Sequence, residues 1–185
     1  MGNPPLDTWA AVPVDTARLI FEQGDKYLSA QMQHALAADA RALTVSAIFV
    51  GFATALYAAT VGYWESTGNT SVLVSGLLTG TVMLVGAGMC GYAARPIDFA
   101  SAGNEPQEWW PWTELSQSEL LGKETENYQA KLDENNAILE ANAWWLERGV
   151  LLSSLSPIVG LISWIGLWCL SLLNFPYRAH CSGAE

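Results

Sequence analysis

The sequence predicts an all-α integral membrane protein with three transmembrane helices, the first and third extended into long cytoplasmic helices. Charge placement carries the reading. Of 185 residues, 51% are hydrophobic and only 14% charged, against about 25% charged in soluble domains. No Asp, Glu, Lys, Arg or His falls within 42–64, 72–94 or 149–173. Each of these spans exceeds the roughly 20 apolar residues that cross a hydrocarbon core of about 30 Å. A formal charge of −10 and a pI near 4.5 exclude DNA and RNA as expected partners, because no basic stripe faces phosphates.

Residues 1–13, with Pro4, Pro5 and Pro13, are expected to be a flexible N-terminus. Asp15 is a good N-cap for the amphipathic helix 14–41, whose apolar stripe is read as Ile20, Leu28, Met32, Leu36 and Leu43. No proline interrupts the chain from there to Trp64, so this helix is expected to continue through TM1, 42–64. The outer hairpin 65–71 is short and rich in turn formers, which makes TM1 and TM2 (72–94) antiparallel neighbours. A Pro/Trp-rich link, 95–112, follows, since Pro96, Gly103, Pro106 and Pro111 cannot share one helix.

Thr113 is read as the N-cap of a second cytoplasmic helix, 113–148, that runs into TM3, 149–173. Its four-three spacing joins Leu121, Thr125, Tyr128, Leu132, Asn135, Leu139, Asn142 and Leu146, a heptad-like coiled-coil seam in which a buried Asn fixes register. Packing against helix 14–41 of the same chain is the first expectation, and a seam between subunits the second. Residues 174–185 form an outer tail.

Seven basic residues, Arg18, Lys26, Arg41, Arg95, Lys123, Lys131 and Arg148, stand on one side of the spans and only Arg178 on the other. This puts the N-terminus and the 95–148 loop in the cytoplasm and the C-terminus outside. The polar start offers no cleavable signal, so the spans are expected to anchor the chain. Cys90, Cys169 and Cys181 are expected to stay unpaired.

Four features bear on function. Small residues recur at helical spacing: Gly76, Gly80 and Gly88 in TM2, Ala47, Gly51 and Ala55 in TM1, and Ser156, Gly160 and Ser163 in TM3. Such faces let helices approach closely in lipid, and three spans carry more of them than one bundle needs, so contact with other subunits or copies is expected. Pro157 is read as a tolerated bend that frees a carbonyl. Trp109, Trp110 and Trp112 in the link, and Trp144 and Trp145 before TM3, read as interface anchors or as a docking surface. The eleven carboxylates from Asp98 to Glu147 read as a solvated face that repels anionic lipid and attracts a basic partner.

Ion-coupled transport is not expected, because the spans carry no ionisable group to bind or relay an ion. Nor is an enzyme, a cofactor or a metal site, since no phosphate-cradling loop, nucleophile elbow or Cys/His set is present.

Ala38-Asp39-Ala40-Arg41-Ala42 opens the first span, and Ala94-Arg95-Pro96-Ile97-Asp98-Phe99 closes the second. Over residues 30–100 the chain resembles small bacterial inner-membrane helical proteins without an assigned function. The Ala-Asp-x-Arg/Lys-Ala start is also similar to the membrane effectors of bacterial cyclic-nucleotide antiphage systems. That likeness implies a bacterial inner-membrane location and a helical hairpin that damages the membrane when activated. The third span and the Trp-rich link depart from the effector pattern, and no ligand-binding residue carries over. The expected function is a non-catalytic accessory subunit of a larger membrane assembly; the alternative is a self-associating effector or channel.

Overall fold

The computed structural model describes residues 9–103, 107 and 110–178. Among these the chain is helical, without strands. Helix α1 is Val14–Thr67, α2 is Thr70–Ala93 and α3 is Gln117–Arg178; short 3-10 turns occupy Trp9–Ala11 and Trp110–Trp112. All three helices are long and apolar enough to cross a membrane. Cys181 lies outside the described residues.

The helix ends differ from the sequence reading in ways that local chemistry explains. Pro13 O accepts the Ala17 N–H at 3.0 Å, so α1 starts at Val14, two residues earlier than an Asp15 cap would give, and Asp15 sits in the first turn, where its charge favours the helix dipole. Thr113 does not cap α3. Ser116 does: its Oγ accepts the Glu119 N–H at 3.4 Å, and Glu119 Oε2 accepts the Ser116 N–H at 3.0 Å. This reciprocal capping box holds the Glu119 carboxyl below its ordinary range through the Ser116 bonds. The hairpin between α1 and α2 shortens to Gly68 and Asn69. Gly68 takes φ 66°, a left-handed turn that favours glycine, and Asn69 Oδ1 caps α2 by accepting the Val72 N–H at 3.2 Å.

The chain forms two compact units. Unit 1, residues 1–39 and 96–141, pairs the first part of α1 with the first part of α3. Leu28, Tyr128 and Leu132 form its buried cluster, with Phe21 and Ala102 packed against it. The α1 stripe proposed from sequence is corrected here. Ile20, Leu36 and Leu43 are exposed, and the inward face is Ala17, Phe21, Gly24, Leu28, Gln31 and Ala35, again at four-three spacing. Gly24 sits on this face because a Cβ there would press on the Tyr128 ring. Trp9 closes the end of the pair. Its indole lies over Gly122, where any side chain would collide, and Nε1 donates to Glu126 Oε1 at 2.8 Å. Trp9→Ala is expected to remove about 2 kcal/mol from this unit. Faster amide exchange in residues 14–20 would show it; unchanged exchange would contradict the seat.

Unit 2, residues 40–95 and 142–185, contains the three apolar stretches. Its interior is made of small side chains: Ala42, Ala53, Ala87, Cys90, Ala93, Ser153 and Ser156 are all at most 2% exposed. Its exterior carries Phe52, Leu151, Ile158, Leu161, Ile162 and Trp168. An inside of Ala and Ser under an outside of Leu, Ile and Phe inverts the soluble pattern and suits lipid.

Candidate functional site

The seam is a polar lock in unit 1. Asn135 is fully buried. Its Nδ2 donates to Gln31 Oε1 at 3.1 Å and to Ala100 O at 3.0 Å, while its Oδ1 accepts the Ala100 N–H at 3.0 Å. Gln31 Nε2 in turn donates to Asn136 Oδ1 at 2.7 Å and to Leu132 O at 3.3 Å. One side chain thus grips both backbone groups of Ala100 and fixes α1 against α3 in a single register.

The link is held further along. Gly103 N donates to the Tyr128 hydroxyl, which donates to Asp25 Oδ1, and Lys131 Nζ donates to Ser101 O and Gly103 O. Burial pushes the Tyr128 phenol above its ordinary pKa, and the neighbouring Asp25 adds to the rise. Residues from Pro96 group with unit 1. Asn135, Tyr128 and Lys131 supply the reason.

Of the other seam residues, Leu121, Leu139 and Leu146 are half-buried, and Asn142 is buried with Oδ1 unpartnered among the described residues. Beside Tyr128 an open cavity of about 550 Å³ is lined by Tyr27, Gln129 and Asn136, among others. Trp112 lies under Lys123 Nζ at 5.4 Å; Trp109 is outside the described residues.

In unit 2 the small residues divide into two sets. Gly76 faces Thr60, Gly80 faces Tyr57, and Gly160 faces Thr79, all within the chain. Gly86 and Gly149, which the spacing does not single out, meet backbone to backbone. A Cβ on Gly149 would stand 2.6 Å from Gly86 O, and one on Gly86 would stand 2.6 Å from Gly149 O. Ser153 Oγ donates to Met83 O at 3.1 Å across this contact, and Ser46 Oγ joins α1 to Ala87 O at 2.9 Å. Pro157 leaves the Ser153 carbonyl without its helical donor, and Ser156 Oγ donates to it instead at 2.8 Å. By contrast, a Cβ on Gly51 or Gly88 would meet nothing within 4 Å among the described residues, and Ala55 is exposed.

The open set on α1 is Ala47, Gly51, Ala55, Ala58 and Gly62, all exposed. At 100° per residue it lies on the side of the helix opposite the inward residues Ala42, Ser46, Phe49, Ala53, Leu56 and Thr60. Comparison of the chain with known protein families, curated proteins and solved structures found no match. No family is therefore assigned. The site rests on its own geometry.

Proposed function

We propose that the chain is a non-catalytic subunit that holds together a larger membrane assembly, with α1 docking against helices of other subunits. What carries this reading is the division of small residues. Gly76, Gly80, Gly86, Gly149 and Gly160 meet partners inside the chain, while the ladder from Ala47 to Gly62 is exposed and meets none among the described residues. Exposed Ile48 and Phe52 flank it on one side and Leu43, Val50 and Val61 on the other. A shallow trough floored by backbone results, the shape a second helix fills in lipid.

In this reading unit 1 is cytoplasmic, in keeping with the seven basic residues on that side, and the membrane is a bacterial inner membrane. The same trough can seat a second copy of α1, which favours the other reading, a self-associating effector or channel.

The test is native mass spectrometry of the tagged full chain, purified from its host membrane in mild detergent. Different membrane proteins are expected in stoichiometric amounts, and Gly51→Leu with Ala55→Leu is expected to release them, whereas Gly88→Leu is not. An unchanged complex in the double variant would sink the docking role of α1. A lone homo-oligomer whose expression collapses the membrane potential would replace the accessory reading by the second one.

A further inference from the structure

Where the apolar stretch of α2 ends and that of α3 begins, unit 2 carries a continuous aromatic row capped by arginines. The Arg95 guanidinium carbon lies 4.1 Å from the centre of the Tyr92 ring. Tyr92 meets Trp145 edge-on at 5.0 Å, and Trp145 meets Trp144 edge-on at 4.9 Å. The Arg148 guanidinium carbon lies 5.6 Å from the Trp144 ring. Tyr92, Trp144 and Arg148 are exposed, and Trp145 and Arg95 half-exposed. Neither arginine has a carboxylate partner among the described residues; Arg95 gives one hydrogen bond, from Nη1 to Tyr92 O at 3.3 Å.

Each guanidinium offers five N–H donors in a planar fork, so most of this donor capacity points away from the protein. Stacking on a ring holds the fork in place beforehand and lowers the entropy lost on binding. Tyr and Trp sit at the headgroup level of a bilayer, one end apolar and one end wet. At that level the oxyanion in supply is a lipid phosphate, whose two non-bridging oxygens a guanidinium engages through two parallel bonds.

The charge map sharpens the argument. Unit 1 has 4 basic and 15 acidic residues, a net of −11, and unit 2 has 4 basic and 3 acidic, a net of +1. A chain of this sign is repelled by an anionic surface as a whole, so attraction must be local, at a site built for it.

We propose that Arg95 and Arg148, held on the Tyr92–Trp145–Trp144 row, bind the phosphate of anionic phospholipid headgroups. The proposal rests on the membrane placement of unit 2 and not on which subunits α1 docks against. Arg41 supplies the internal comparison: it stands at the start of its apolar stretch, exposed, without a ring beneath it among the described residues.

The experiment uses the full chain in mixed micelles of phosphatidylcholine and phosphatidylglycerol at equal concentration, with retained lipid counted by native mass spectrometry. Carbonate extraction from the host membrane is run alongside. Release by carbonate removes the membrane placement itself, whereas resistance with unselective lipid binding removes only the headgroup site. Preferential retention of phosphatidylglycerol is expected, and Arg95→Gln and Arg148→Gln are each expected to lower the preference about five-fold. Arg41→Gln is expected to lower it less than about two-fold at physiological salt, because an exposed, unseated charge is screened. Tyr92→Leu, which leaves the charge intact, is expected to weaken retention as well, an effect that diffuse surface charge would not produce. Arg95→Lys, a milder change that keeps the charge, should lose part of the preference while leaving the thermal midpoint in place. Equal retention of both lipids, or equal losses from Arg41→Gln and Arg95→Gln, would overturn the proposal. Displacement of the lipid by excess inorganic phosphate would assign the site to a free anion and overturn it too.

Discussion

Gly149→Leu is expected to separate α2 from α3 and to lower the stability of unit 2 by about 3–5 kcal/mol. The reason is that both walls of the contact are backbone. A Cβ at this position meets Gly86 O at 2.6 Å and Cys90 N at 2.9 Å, and neither can turn aside as the end of a side chain could. The helices must part by an ångström or more, which also breaks the Ser153 to Met83 hydrogen bond. Gly88→Leu adds the same volume where no described residue lies within 4 Å and is expected to be near neutral. Unfolding of the two variants in detergent, followed by circular dichroism, separates these outcomes. Equal losses would mean that α2 and α3 do not approach through these glycines.

Asn135→Leu is the second large effect, in unit 1. The substitution fills a similar volume but leaves Gln31 Oε1 and both backbone groups of Ala100 without the partners they now have. Stranded polar groups make this loss larger than the average hydrogen bond, about 2–4 kcal/mol. Adding Gln31→Leu removes one of the stranded acceptors and is expected to recover part of it, since matched removal is gentler than removal of one side. The sharper readout is local. Exchange of the Ala100 amide should speed up by about two orders of magnitude, the equivalent of roughly 3 kcal/mol. An Ala100 amide that exchanges at its original rate would show that Asn135 does not hold the link.

How far the sequence discloses this arrangement depends on side-chain size. The three apolar stretches are legible because charge is absent over lengths that lipid dictates. The α3 seam is legible because Leu and Tyr mark the four-three spacing. On α1 the same spacing is written mostly in Ala17, Gly24, Gln31 and Ala35, residues without a strong hydropathy signal, with only Phe21 and Leu28 to mark it, while the equally loud Ile20 and Leu36 point outward. Gly86 and Gly149 escape notice for a related reason: their contact is backbone to backbone between distant segments, and no spacing within either helix announces it. The grip of Asn135 on Ala100 likewise joins positions 35 apart through a link whose prolines reveal only that it is not helical. Ser116-x-x-Glu119 was available as a capping signature, but Thr113-Glu114 competed for the same role three residues earlier.

The hydroxyls inside unit 2 have a consequence for permeation. Ser46, Ser75, Thr79, Ser153 and Ser156 each donate to a backbone carbonyl, so their protons are already committed within the protein. A file of water or a stripped ion moving between these helices would have to break those bonds and would find Ala and Gly in their place. One copy is therefore expected to be electrically tight, and any current carried by this chain would belong to the spaces between copies.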